Sequence, residues 1–412
     1  MNTYLVIQLA RFGDIIQSKR LVRGLQARPR AVVHLAVDVS LVSLAELIYP
    51  GVHVHGLPVH GQRPEPERLL QGCRPVFRQW REASFERVFN LNHSGFNYIL
   101  AGLFAPEQVF GYQWRHGQAL RGAWPDMVFR LTRRRSVNPL NLMDYWGYFL
   151  QPALEPQAVN PAAVAKGNGI GVALAGRDAR RSLPVPVLSQ ILAAALHATA
   201  GPAYLLGTEA ERPAARQLQR ALPPALQTRV RDLSGRTKWN DLMEVLGQLD
   251  LLLTPDTGIM HLAAHLGTPV TAFFLSSAWC FETGPYGAGH LVWQAGRACA
   301  PCLESQPCDQ DTACLLPFTH KTVLAAMAGP GLAGRTSPPD PPAELCLLKS
   351  RVDDFGLKLH PQCGELPKSK EREAVRELLR GHCLGITPRD VATENGAAAW
   401  MYDETQWMLE QS

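Results

Sequence analysis

The chain has 412 residues, 46% hydrophobic and 19% charged, with a net charge of +5. That is ordinary globular composition over a length that suggests two domains of average size, and so modest a charge does not suggest a nucleic-acid binder. No run of about 18 apolar residues exists, so no transmembrane helix is expected. The N-terminus lacks the basic start, long apolar stretch and cleavage site of a signal peptide, so a cytoplasmic location is expected.

The first half alternates strand-like and helix-like segments. "YLVIQLA" (4–10) is a continuous apolar run suited to a buried parallel strand. The polar turn "RFGD" follows, then Ile15, Ile16, Leu21, Val22 and Leu25 recur at helical spacing. "AVVHLAVD" (31–38) and "RVFNLN" (87–92) are further strands, and a helix is predicted from Gly95 to Phe104. Residues 111–138, rich in Arg, Trp and Gly, read as a long irregular segment. "NPLNLMDYWGYFL" (138–150) is helical, and the three prolines of 151–169 mark a linker.

The alternation then restarts. Strands are predicted at 169–176, 203–207, 230–235, 251–254 and 269–275, with helices at 186–197, 209–222, 239–249 and from Thr257. This pattern predicts an α/β chain of two doubly wound parallel-sheet domains with a cleft between them. The domains are expected at 1–155 and 165–327. Residues 328–412 read as a Pro/Gly linker and a partly helical C-terminal extension.

Ligands of open α/β sheets bind at the carboxyl ends of the strands. "RFGD" stands there in the first domain and "PDTGIMH" in the second. The start of a helix exposes N–H groups and partial positive charge, so the turn Asp256–Thr257–Gly258 suits a phosphate. Gly258 lets the ligand approach the backbone, Thr257 adds a hydroxyl, and His261 one turn on can donate to a phosphate or sugar oxygen. The alternative is that Asp256 or Thr257 only caps the helix and His261 is a buried core residue. On the ligand-binding reading, His261→Ala should weaken binding with little loss of stability. Asp14 is in the same position twice over, as a helix cap or as a general base. No G-x-G-x-x-G is present, which argues against a dinucleotide enzyme.

Residues 1–155 hold 18 Lys+Arg against 11 Asp+Glu. A basic first half suits an acidic partner or an anionic membrane surface, with "LTRRRS" (131–136) as the leading patch. An Arg-rich solvated surface is the plainer alternative. Cys299, Cys302, Cys308 and Cys314 are spaced C-x₂-C-x₅-C-x₅-C. That spacing leaves open a tetrahedral thiolate zinc site, free or redox-labile thiols, or a disulfide.

"VIQLARFGDIIQSKRLVRGL" and "DLSGRTKWNDLMEVLGQLDLLLTPDTGIMHLAAHLGTPVTAFF", with "TGPYG" (283–287) after them, resemble the glycosyltransferase family 9 heptosyltransferases over roughly residues 1–325. The resemblance implies a GT-B fold of two Rossmann-like domains facing each other across a cleft. It implies an inverting, metal-independent transferase that moves a heptose from an ADP-sugar donor to a lipopolysaccharide core or another glycan. No cofactor is required on this reading, and a structural zinc at the cysteines is the one candidate ion. The implied partners are the ADP-sugar, an anionic lipid-linked or glycan acceptor, and the cytoplasmic face of the inner membrane as a peripheral contact.

By matching position, Asp14 is the implied base, with Arg11 and Gly13 beside it on the acceptor side. Asp256, Thr257, Gly258 and His261 line the implied donor site. Arg181 takes the place of a family Lys that meets the diphosphate, with Arg180 or Arg177 as neighbours able to serve, and Leu183 takes the place of a Trp. The family's Phe-Gly after the last strand is missing, and "FFLSSAWCFETG" stands there. Two rival readings remain: a different nucleotide-sugar-processing enzyme, such as an epimerase or oxidoreductase, and a non-catalytic nucleotide-sugar-binding protein.

Overall fold

The computed structural model describes residues 2–60, 66–174, 180–275, 277–303, 306–328 and 342–386. The chain forms two compact units. The first runs to Arg133 and adds Leu142–Glu155; the second comprises Arg134–Asn141 and the described residues from Pro156 to Ile386.

The first unit holds six strands: β1 (Asn2–Ile7), β2 (Ala31–Asp38), β3 (His53–Leu57), β4 (Arg87–Asn90), β5 (Val109–Arg115) and β6 (Gln118–Arg121). They pair in the order β3-β2-β1-β4-β5-β6. All pairs are parallel except β5 with β6. From β1 the chain winds outward through β2 and β3, then crosses back to β4 on the other side. β1 and β4 therefore flank the switch point, where an open sheet leaves room for a ligand at its carboxyl end. Leu5, Ile7, Ala36, Leu57 and Val88 build the core on one face with Val76 and Trp80 of the helix Pro66–Ala83.

A buried ion pair ties the last segment of this unit to its start. Arg20 Nη1 lies 2.6 Å from Asp144 Oδ1, each side chain 2% exposed. Arg20 Nε donates to the Leu154 carbonyl at 2.8 Å, and its guanidinium sits over the Tyr148 ring at 4.5 Å. A Cβ at residue 147 would come within 2.4 Å of the Arg20 side chain, which is why glycine stands there. Breaking such a pair by removing one partner typically costs about 3–5 kcal/mol, because the other charge stays buried.

The second unit holds eight strands: β7 (Ile170–Ala173), β8 (Ala203–Leu206), β9 (Val230–Asp232), β10 (Leu251–Pro255), β11 (Val270–Phe274), β12 (Leu291–Ala295), β13 (Leu345–Val352) and β14 (Leu357–Cys363). Their order is β14-β13-β12-β11-β10-β7-β8-β9. β9 to β12 are joined in parallel through β8, β7, β10 and β11, while β13 and β14 add antiparallel. Here the switch point lies between β7 and β10. Strands β7, β10 and β11 are buried along their whole lengths, as their unbroken apolar runs require when helices cover both faces.

Two expectations give way. Residues 111–138 are not irregular: they carry the end of β5, then β6 and the helix Ala123–Leu131. The β5–β6 turn uses His116 and Gly117, both with positive φ (48° and 77°), which is the geometry of a tight hairpin. The stretch beyond residue 328 is not a mere appendage either. β13 and β14 complete the second sheet, and the helix Ser369–Leu384 follows them. β13 covers the edge of β12, whose Val292 and Trp293 are fully buried. An uncovered edge of that kind would be a pairing hazard.

Two histidines of the second unit are buried without charge. His290 is 0% exposed and neither ring nitrogen has a partner; His261 is 4% exposed. Burial holds both pKa values down to about 4, against 6.5 for a free histidine. The unfolded chain takes up protons that the folded chain refuses. Their contribution is therefore whole above pH 6.5 and is lost as pH falls from there to about 4, by roughly 3 kcal/mol each at the acid limit. Urea unfolding at pH 7.5, 5.5 and 4.5 should show this fall, and His290→Leu should flatten it. An unaltered pH slope in that variant would mean that His290 is not responsible.

Candidate active site

The residues singled out by the sequence gather at the two switch points, one in each unit. In the first unit, β1 ends at Ile7 and the short helix Phe12–Gln17 begins after Arg11. Asp14 is the third residue of that helix, and its Oδ2 accepts the Arg11 backbone N–H at 3.1 Å. The capping role is thus present, and the cap itself fixes the aim of a half-buried carboxylate. Gly13 is buried and Arg11 exposed.

Next to it lies a carboxamide network with no counterpart in the sequence reading. The Leu9 N–H donates to Asn92 Oδ1 at 2.9 Å, and Asn97 Nδ2 donates to Asn90 Oδ1 at 3.0 Å and Asn92 Oδ1 at 3.3 Å. Asn90 and Asn97 are buried. These bonds lock the loops after β1 and β4 together at the switch point. The signal was "FNLNHSGFN", three asparagines following a strand.

In the second unit, β10 delivers Asp256, Thr257 and Gly258 to the start of the helix Gly258–Leu266. Gly267 stops that helix in a left-handed conformation (φ 72°), which favours glycine. Asp256 is the hub. Its side chain is 8% exposed, and Oδ2 accepts from Arg181 Nη2 at 3.1 Å and from Thr283 Oγ1 at 3.2 Å. One carboxylate therefore joins the segments after β7, β10 and β11. Thr257 does not use its hydroxyl to cap the helix; its Oγ1 lies 3.1 Å from Thr254 Oγ1. The Met260 N–H bonds the Thr257 carbonyl at 3.1 Å, and the backbone N–H groups of Gly258 and Ile259 remain as donors for a ligand.

The two adjacent arginines are divided. Arg181 faces Asp256, whereas Arg180 turns to the cysteine loop. There it donates to the Gln306 carbonyl, to Leu303 O at 3.3 Å and to Cys302 Sγ at 3.4 Å. Arg177 lies outside the described residues. Leu183 packs against the apolar core of the second unit.

His261 faces inward from the first turn of its helix, and no hydrogen bond ties its ring among the described residues. Its depressed pKa makes it a neutral imidazole at pH 7, so it can offer one N–H but no charge. Burial weighs against the expectation that its loss would be cheap.

Thr283 was legible only as part of "TGPYG". That turn is pinned from within the unit: Asn141 Nδ2 donates to the Gly284 carbonyl at 3.3 Å and Asn160 Nδ2 to Tyr286 O at 2.8 Å. Beside it, Glu282 receives Arg135 through Nε at 2.9 Å and Nη2 at 2.8 Å, with Asn138 Nδ2 at 3.2 Å. Arg135 is thereby withdrawn from the basic patch read in 131–136, while Arg133 and Arg134 are exposed.

Cys299, Cys302, Cys308 and Cys314 line one cavity of about 320 Å³, and all four are free thiols. Hydrogen bonds from the backbone, first that of the Thr312 N–H, pull the Cys308 thiol down; burial pushes Cys299 up. Among the described residues no three His, Cys, Asp or Glu side chains are placed to hold a metal ion.

The glycosyltransferase family 9 (heptosyltransferase) model matches residues 190–312. The match takes in Asp256, Thr257, Gly258 and His261, but not Asp14 or Arg181. A lipooligosaccharide heptosyltransferase 2 of Haemophilus influenzae is 29% identical over 70 residues, which is 17% of this chain and 20% of the relative. The curated relative is thus matched over about a fifth of its length.

Solved structures extend the likeness to the fold. The E. coli ADP-heptose LPS heptosyltransferase II superposes with a TM-score of 0.54 at 18% identity, over 80% of this chain and 100% of its own. A family 9 glycosyltransferase of Veillonella parvula gives 0.57 at 15%, over 72% and 88%. The E. coli heptosyltransferase WaaC, solved with ADP, gives 0.50 at 13%, over 73% and 96%. The fold is that of the GT-B heptosyltransferases, two α/β domains built on parallel sheets.

Removing the guanidinium of Arg181 takes the 3.1 Å ion pair away from Asp256. Arg181→Met should lower stability by about 1–3 kcal/mol and weaken binding of an anionic ligand at the start of the helix at least tenfold. Arg181→Lys should recover charge but not the planar geometry. His261→Ala should cost about 2 kcal/mol through the cavity it opens. Urea unfolding and calorimetric titration with ADP check all three. An Arg181→Met protein that bound ADP like the parent would remove Arg181 from the site.

Proposed function

We propose that the chain is a heptosyltransferase-like protein of glycosyltransferase family 9, and that it moves a heptose or related sugar from an ADP-sugar to a glycan acceptor, with inversion at the anomeric carbon and without a metal. The observation that carries this reading is the Arg181–Asp256–Thr283 constellation at the first turn of the helix Gly258–Leu266.

The chemistry asks for two things, a base and a place for developing negative charge. Asp14 accepts the proton of an acceptor hydroxyl. The freed oxygen attacks the anomeric carbon from the face opposite the nucleotide. The bond from that carbon to the diphosphate oxygen breaks, and ADP leaves with the electron pair. The backbone N–H groups of Gly258 and Ile259, the helix dipole and the Arg181 guanidinium receive that charge. Asp256 holds Arg181 ready, so little reorganisation is needed when charge develops. His261 enters as a neutral donor or as packing beneath the donor sugar. On this reading Asp14 comes within hydrogen-bond reach of the acceptor hydroxyl whose proton it takes.

The acceptor we propose is a lipopolysaccharide core or another anionic, lipid-linked glycan. The excess of basic over acidic residues in the first half supports it, 18 against 11 up to residue 155. Such an acceptor implies work at the cytoplasmic face of a membrane as a peripheral protein. Among the described residues no helix is long and apolar enough to cross one.

A thermal-shift panel of ADP-, UDP- and GDP-sugars, followed by a product assay with the sugar that binds, tests the reading. An ADP-sugar should stabilise the chain most. Asp14→Asn should keep donor binding within about twofold and lose about 10²–10⁴-fold in transfer. Binding without any transfer in the parent would favour a non-catalytic nucleotide-sugar-binding protein. Turnover above a tenth of the parent rate in Asp14→Asn would remove Asp14 as the base.

A further inference from the structure

The part of the second unit that follows the family match builds a second cavity. It lies between the β13–β14 hairpin and the helix Ser369–Leu384, with a volume of about 330 Å³. Phe281, Leu348, Leu357 and Leu359 give it apolar walls. Arg372 and Arg376 reach it from one face of the helix, four residues apart. None of Arg181, Asp256 or Thr283 lines it.

Both guanidiniums are nearly out of solvent, Arg372 5% and Arg376 3% exposed. Arg372 donates through Nη1 to the carbonyls of Ser136 at 2.8 Å and Pro367 at 3.2 Å. Its guanidinium stands 4.1 Å above the Phe281 ring. No carboxylate pairs with it among the described residues. Arg376 gives Nη2 to Asp353 Oδ1 at 2.8 Å and its Nη1 stands 3.8 Å from Glu377 Oε1, but Nε and Nη1 are buried without a hydrogen bond. The other charges on the wall are engaged: Lys358 Nζ with Glu373 Oε1 at 2.5 Å, and Glu365 Oε1 with Ser369 Oγ at 2.8 Å.

A buried cation without a counter-ion carries an unrepaid desolvation cost. An oxyanion is the group whose entry offsets it, through the short charge-assisted bonds that guanidinium makes with carboxylate or phosphate. The apolar walls demand that the rest of the ligand be hydrophobic, and the volume is that of a small-molecule pocket. We propose that this cavity binds a small amphipathic organic anion, with its carboxylate or phosphate head on Arg372 and Arg376 and its apolar body against Phe281, Leu348 and Leu359.

Calorimetric titration of the full chain with octanoate, octyl phosphate, 1-octanol and inorganic phosphate tests this. One of the two octyl anions should bind one to one, at least about tenfold tighter than octanol or inorganic phosphate, since charged hydrogen bonds and apolar burial act together. The preference between octanoate and octyl phosphate identifies the head. Arg372→Gln should weaken binding about tenfold or more. Leu359→Trp, which fills the cavity and keeps every charge, should do the same and carries the test if Arg372→Gln fails to fold. No binding of either octyl anion at millimolar concentration would overturn the proposal. Equal affinity for octanol would also overturn it, as would unchanged affinity in folded Leu359→Trp.

Discussion

A carboxylate that is 8% exposed must be compensated or protonated, and Asp256 is compensated from two sides, by Arg181 and by Thr283. The rest of the second unit's switch point follows from this. The parallel sheet sets β7 beside β10, so the segments that follow them emerge next to one another. The ion pair then fixes their side chains. The helix Gly258–Leu266 starts at that spot because β10 ends there, and it presents unpaired N–H groups beside a fixed cation. The site is thus charged in advance for an anion.

The same arrangement explains the division of labour between neighbours. Arg180 and Arg181 are consecutive residues of a turn, and their side chains part. Arg181 meets the carboxylate while Arg180 meets the carbonyls and thiol of the cysteine loop. Arg135 makes a comparable anchor to Glu282, beside Thr283. Three cations that look alike in sequence serve three places, and only Arg181 faces the proposed donor site. His261 follows from the helix's position. A nine-residue helix packed by Ile259, Met260, Leu262, Ala263 and Ala264 draws its histidine into the same low-dielectric surroundings, where the charged form is disfavoured.

Much of this was legible in the sequence because parallel sheets write themselves plainly. Runs such as "AVVHLAVD" and "LLLTP" are apolar throughout, and the predicted strand 31–38 agrees with β2 residue for residue. Glycine and aspartate after such runs mark the strand tops, so Asp14 and Asp256 could be placed. Antiparallel strands at the edges were not legible. β5, β6 and β14 are mixed in burial and lack the continuous signal. β13 is hidden behind a Pro/Gly-rich stretch that suggests a domain end, although the chain returns to the same sheet. Pairings across long separations, Arg181 with Asp256 or Arg135 with Glu282, leave no trace in spacing. The inward turn of His261 is likewise set by what packs on its helix.

The central claim is that the first turn of the helix Gly258–Leu266 and Arg181 hold the diphosphate of a sugar-nucleotide donor. A crystal structure of the chain with ADP tests it most directly. The account predicts the diphosphate oxygens within hydrogen-bond distance of the backbone N–H groups of Gly258 and Ile259 and of the Arg181 guanidinium, with Asp256 still holding that guanidinium from the other side. A diphosphate bound away from this turn, with Arg181 in contact only with Asp256, would contradict it.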